Sequence, residues 1–178
     1  MYLPASSYTP QTASLKRTYL WWLAGLTVCL SIMALVAGAP IAAATHHEHT
    51  ALTIYRSFGL LCHQLPERSY FIAGHKLAIC SRCLGLYSGF TAMFLFYPLV
   101  RSVRTITAPS VKWLFLSAVP LGIDFSLTFF GIWENTHTTR LLTGLLLGGV
   151  AVLYVMPGIS ELSLRATKPA PNLSASLR

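Results

Sequence analysis

The sequence predicts an all-α integral membrane protein: a bundle of about four transmembrane helices with a cysteine- and histidine-rich loop outside the membrane. Three observations predict it. The 178 residues are 54% hydrophobic and only 10% charged, whereas soluble domains carry roughly a quarter charged residues. A soluble chain this short has too much surface for its volume to hide that much apolar area in one core. The apolar residues fall in runs near the ~20 residues that cross a bilayer, and the basic residues gather in short groups beside them.

The first run covers 19–44 and follows Lys16 and Arg17, with Trp21 and Trp22 at its interfacial end. A signal peptide has the same order of charge and apolarity, but its apolar region is only ~7–15 residues. The Ala-Ala-Ala-Thr ending resembles a cleavage site, yet the length favours an uncleaved anchor. Further spans are predicted at 77–100, at 113–133 between Trp113 and Trp133, and at 139–159. Pro98, Pro120 and Pro157 lie in or near them, where kinks are tolerated if neighbours satisfy the freed carbonyls. Gly85-x-x-x-Gly89 and Gly144-x-x-x-Gly148 give the second and fourth spans close-packing faces. A single transmembrane domain over 19–159 is therefore expected, between a disordered N-terminus (1–18) and a disordered tail (160–178) rich in Ser, Thr, Pro and Ala.

Orientation follows from where the positive charge falls. Lys16 and Arg17, then Arg101, Arg104 and Lys112, then Arg165, Lys168 and Arg178 mark the cytoplasmic side, whereas Arg56, Arg68, Lys76 and Arg82 on the other side are interspersed with Glu48 and Glu67. Both termini are expected inside a cell membrane, with the long first loop (45–76) outside. The net charge of +8 from 13 basic and 5 acidic residues does not suggest nucleic acid, because these residues flank spans instead of clustering on one face. The lipid bilayer is the expected partner, alongside a second copy of the chain or another membrane subunit.

Three of the four cysteines lie close in sequence: Cys62, Cys80 and Cys83. A C-x-x-C pair brings two thiolates to one metal ion, and a third cysteine with one histidine completes a tetrahedral zinc site. His63 and His75 are the candidates for the fourth ligand. Adjacent side chains point apart, so Cys62 and His63 are poorly placed to share an ion. Cys29 sits mid-span and reads as a small packing residue. His46, His47 and His49 form a His-His-Glu-His run that reads equally well as a metal-capturing segment or a polar loop. Asp124 is the one acidic residue inside a span. An ionisable group at that depth faces the protein interior and pairs; Arg82 and Arg140 are its candidate partners, with Glu134 closing the same face into a polar cavity. A structural ion pair between helices would need the same residues.

Three functions fit these residues. One is a zinc-binding membrane protein engaged in transport or metal handling. The second is a membrane thiol–disulfide oxidoreductase using Cys80/Cys83 with Cys62 as resolving thiol, since an extracytoplasmic site faces an oxidising space. The third is a structural or partner-binding subunit. Haem attachment through C-x-x-C-H is excluded by Leu84.

The run Cys62-His63-Gln64-x-Pro66-x-Arg68-Ser69, Gly74-His75 and Cys80-x-Arg82-Cys83-x-Gly85-x-Tyr87-x-Gly89 resembles a family of small prokaryotic membrane proteins catalogued as a domain of unknown function. Asp124, Glu134-Asn135-Thr136 and Arg140-Leu141-x-Thr143-Gly144 extend the resemblance, which covers about 55–149. It implies a multi-span helical protein with a cysteine-rich signature, and it names no reaction.

Overall fold

The computed structural model describes residues 15–165. Five helices carry the fold: α1 (Leu15–Ala44), α2 (Glu48–Gly59), α3 (Ser81–Val100), α4 (Lys112–Phe129) and α5 (His137–Arg165). A two-stranded antiparallel hairpin, β1 (Phe71–Ile72) and β2 (His75–Lys76), interrupts the otherwise helical chain between α2 and α3. By length and composition, three helices among the described residues could cross a membrane: α1, α3 and the stretch His137–Ser163 of α5. The 18-residue α4, which includes Lys112, Pro120 and Asp124, is not among them.

The expected disordered ends need correction where they are described. Residues 15–18 and 160–165 continue α1 and α5 as helix, and a buried hydrogen bond between Thr18 Oγ1 and Ser163 Oγ (3.2 Å) ties the two ends together. The remainder of both predicted tails lies outside the described residues. The first loop is also more ordered than expected. Its α2 buries Ala51 and Phe58 and half-buries Ile54 and Tyr55, which is helical spacing.

Glycine sets how the bundle closes. A Cβ on Gly85 would stand 2.1 Å from the Leu141 carbonyl oxygen, and one on Gly89 2.2 Å from that of Leu145. In return, a Cβ on Gly144 would meet the Arg82 oxygen at 2.4 Å and one on Gly148 the Leu86 oxygen at 2.1 Å. Backbones this close require the missing side chains on both helices. The paired numbers rise together, so α3 and α5 are parallel. The 101–136 segment must therefore return the chain to the end where α3 began, and α4 runs antiparallel to both.

Polar side chains fix the far end, where α3 finishes. Ser160 Oγ donates to the Val103 carbonyl (2.5 Å) and Tyr154 Oη to that of Ser110 (2.8 Å). Trp22 Nε1 donates to the Phe94 carbonyl (2.8 Å), so this tryptophan is a packing residue of the bundle as well as a span marker. One apolar cluster (Leu26, Phe94, Tyr97, Val103, Val152, Met156) fills this end. A second (Val36, Ala39, Phe58, Cys62, Leu77, Ala78, Ile79) fills the end that carries the cysteines.

Candidate metal centre

Local structure brings Cys62 to the start of α3. After α2, the Cys62 N–H donates back to the Phe58 carbonyl (2.9 Å), and Gln64 adopts a left-handed backbone (φ +51°). That conformation is uncommon outside glycine and persists where neighbours hold it. Here the Gln64 side chain donates to the Tyr55 carbonyl (2.7 Å) and its own carbonyl accepts from Lys76 Nζ (2.8 Å). Tyr55 Oη donates to the Lys76 carbonyl at 2.5 Å. The hairpin turns on Ala73 (φ +51°) and Gly74 (φ +79°), the two positive values that a tight two-residue hairpin requires. Leu77, Ala78 and Ile79 then bury completely or nearly so and deliver Cys80 to the N-cap of α3.

The ligand atoms of Cys62, Cys80 and Cys83 lie within 4.8 Å of one another, and this is the one such group of three or more among the described residues. The Cys80 N–H also points at the Cys62 sulfur (3.2 Å). Tetrahedral zinc at a Zn–S distance of ~2.3 Å needs sulfurs about 3.8 Å apart, so the trio is compatible with one ion. All four cysteines are free thiols. Hydrogen bonds from the Cys62 and then the Cys83 side chain hold the Cys80 thiol far below the usual thiol range.

Neither predicted histidine joins the sulfurs. His63 lines the adjoining cavity, but its nitrogens fall outside the group; it follows Cys62 directly and diverges from it. His75 sits exposed on β2, at the hairpin tip. His46, His47 and His49 are exposed and contribute no ligand to the group. Cys29 stays apart from it in α1.

The three cysteines line a cavity of about 430 Å³ together with polar His63, Arg68, Arg82, Asn135 and Arg140 and apolar Leu61, Leu65, Phe125 and Phe129. Asp124 anchors its polar wall. Arg82 Nη2 donates to Asp124 Oδ2 (2.7 Å) and so does Asn135 Nδ2 (2.7 Å). Arg82 also stacks over the Phe125 ring, 5.6 Å from its centroid. Arg140 reaches Asp124 only through Asn135, donating from Nε to Asn135 Oδ1 at 2.6 Å. Glu134 is exposed and takes no part. Its neighbour Asn135 is the residue that sequence reasoning missed. An amide can donate to a carboxylate and accept from a guanidinium at once, which a glutamate cannot do.

Residues 62–154 match a family described as "Predicted membrane protein (DUF2085)", a stretch that contains all three cysteines, Arg82, Asp124, Asn135 and Arg140. An uncharacterized protein of Methanocaldococcus jannaschii is 31% identical over 118 residues, covering 66% of this chain and 76% of that protein. An uncharacterized protein of Methanothermobacter thermautotrophicus is 38% identical over 97 residues, covering 54% of this chain and 86% of the relative. No solved structure matches the chain.

Proposed function

The chain belongs to this family of predicted membrane proteins, a domain of unknown function, and from that premise we propose that it is a metal-handling membrane protein. It holds one zinc ion on Cys62, Cys80 and Cys83 at the outer face of the membrane. The observation that carries the reading is the convergence of three thiols from two separate segments within 4.8 Å. Thiolates select soft or borderline ions such as zinc. Three protein ligands leave the fourth position to water or a ligand from the cavity, the arrangement of an open site as opposed to a closed structural one.

The rival is a thiol–disulfide centre. It is favoured by one observation: Cys80 stands at the N-cap position of α3 beside Cys62 and Cys83, and thiols at helix N-termini are nucleophilic. Metal analysis of the purified protein, with thiols counted before and after reduction, separates the two. One equivalent of zinc with no disulfide supports the metal site. A reducible Cys80–Cys83 bond with no metal refutes it.

The outer placement rests on four crossings. Because α3 and α5 are parallel, a chain whose α3 and α5 both span must cross back between them, and α4 is the helix available. Its 18 residues reach about 27 Å at ~1.5 Å per residue, close to the ~30 Å hydrocarbon thickness. Lys16, Arg17, Arg101, Arg104 and Lys112 fall at the end opposite the cysteines, which by the positive-inside rule is cytoplasmic. Reporter fusions after Arg104 and after Glu48 should therefore report opposite sides; a shared side refutes the four-crossing topology.

A further inference from the structure

The arginines of the cavity have more donors and more charge than the protein answers. Arg68, Arg82 and Arg140 all line it and lie close enough for the first two to act electrostatically on the third. One oxygen of Asp124, Oδ2, accepts from both Arg82 and Asn135. Glu67 approaches Arg68 only at 3.9 Å, with both side chains half exposed or more, and it does not line the cavity. Arg140 hydrogen-bonds a neutral amide, and the Asp124 carboxylate acts on it at longer range. The Arg82 Nε–H is buried with no hydrogen-bond acceptor, an expensive state for a charged group. A zinc ion held by three thiolates would carry one net negative charge, and even then the three guanidiniums and Asp124 leave one positive charge in excess.

We propose that this cavity is an oxyanion site that takes a phosphate-class group through the Arg140, Arg68 and Arg82 guanidiniums. Guanidinium forks match phosphate oxygens two at a time. Leu61, Leu65, Phe125 and Phe129 give the cavity an apolar wall as well, with Phe125 directly beside Arg82; it suits an apolar body attached to that group. Leu61 and Phe129 are 70% and 72% exposed, so this wall continues to the outside of the bundle. A free phosphate and the headgroup of a lipid phosphate share the chemistry that the arginines read; only the lipid also uses the apolar wall. Cys62, Cys80 and Cys83 line the same cavity, so a bound anion lies beside the sulfurs; its recognition belongs to the guanidiniums, and chelation separates the two.

The test uses the full chain in detergent, titrated by thermal shift with three probes: inorganic phosphate, short-chain phosphatidic acid and the matching neutral diacylglycerol. Phosphatidic acid should stabilise the protein and the neutral lipid should not. Stabilisation by inorganic phosphate as well would make the free ion sufficient; its absence would assign the site to a lipid phosphate. Arg140→Gln should weaken binding about tenfold to a hundredfold, the range expected for charge-assisted bonds. Arg68→Gln, at a half-exposed side chain whose loss spares the fold, should weaken it several-fold. Equal effects of charged and neutral lipid, or wild-type affinity in both variants, would overturn the proposal. So would loss of binding on chelation while Arg140→Gln binds normally, since that pattern puts the anion on the metal.

Discussion

Gly148→Ala tests the parallel packing of α3 and α5, on which the topology rests. The added Cβ would meet the Leu86 carbonyl oxygen at 2.1 Å, where ordinary contact begins at 3.4 Å. The obstacle is backbone, so one helix must retreat by over an ångström. Overpacking of this kind costs ~1–3 kcal/mol. Against it stands the gain of replacing glycine by alanine within a helix, ~0.8–1 kcal/mol. The net expectation is a loss of up to about 2 kcal/mol, read as a midpoint lowered by up to about 8 °C in a detergent thermal-unfolding assay. Helices α5 and α1 supply the controls. A Cβ at Gly158 or Gly38 meets nothing within 4 Å, so alanine there should leave the midpoint unchanged or raise it. The Gly85→Ala/Gly89→Ala double variant should lose less than the two singles together, because one separation of the helices relieves both clashes. A Gly148→Ala protein as stable as the Gly158→Ala control would refute the close approach, and with it the argument that α4 must recross.

Other outcomes follow from the site. Cys62→Ser, Cys80→Ser and Cys83→Ser should each lose stoichiometric zinc by metal analysis, whereas Cys29→Ser should keep it. Asp124→Asn leaves Arg82 without its countercharge and should cost about 3–5 kcal/mol, visible as a large drop in the unfolding midpoint; a neutral result would place the pair in water. Asn135→Leu should destabilise by about 1–3 kcal/mol through unpaired groups on Asp124 and Arg140, while Glu134→Gln, at an exposed side chain, should be neutral in the same assay. Tyr55→Phe removes the donor to Lys76 and should cost ~0.5–1.5 kcal/mol, together with faster zinc loss to a chelator if the hairpin holds Cys62 against Cys80.

Residue type and spacing made much of this legible. Charge scarcity and apolar runs gave the helical class and the positions of α1, α3 and α5 closely, because span length is dictated by the bilayer. Asp124 announced that it would pair, with Arg82 and Arg140 both open as partners, because a lone carboxylate in an apolar run has few alternatives. Other features had a weak one-dimensional signal or none. The hairpin depends on two positive φ values at Ala73 and Gly74, and alanine gives no warning of that. The amphipathic α2 was visible in the spacing of Ala51, Ile54, Tyr55 and Phe58, but the polar residues around it read as loop. Asn135 was overshadowed by the charge of Glu134, although the amide is the group suited to bridge an acid and a base. The histidines were drawn toward the cysteines by proximity in sequence, and the chain directs His75 to an exposed hairpin tip instead.

The signature Cys80-x-Arg82-Cys83-x-Gly85 acquires a physical reading from α3. A helical turn advances ~100° per residue, so neighbouring positions must serve different partners. Cys80 and Cys83, three apart, share the side that meets Cys62. Arg82 turns to Asp124 on α4, while its own carbonyl lies against Gly144 on α5. Gly85 then admits the Leu141 backbone, one residue beyond Arg140. One turn of helix thus ties the thiols, the buried charge and the closest helix contact into a single rigid unit. A displacement of α5 at Gly85 would move Arg140 relative to Arg82 as well as loosen the bundle. Gly85→Ala should therefore perturb the cavity more than Gly89→Ala, one turn deeper, at similar cost to stability. Equal anion affinity in the two variants would separate the packing of the bundle from the geometry of its site.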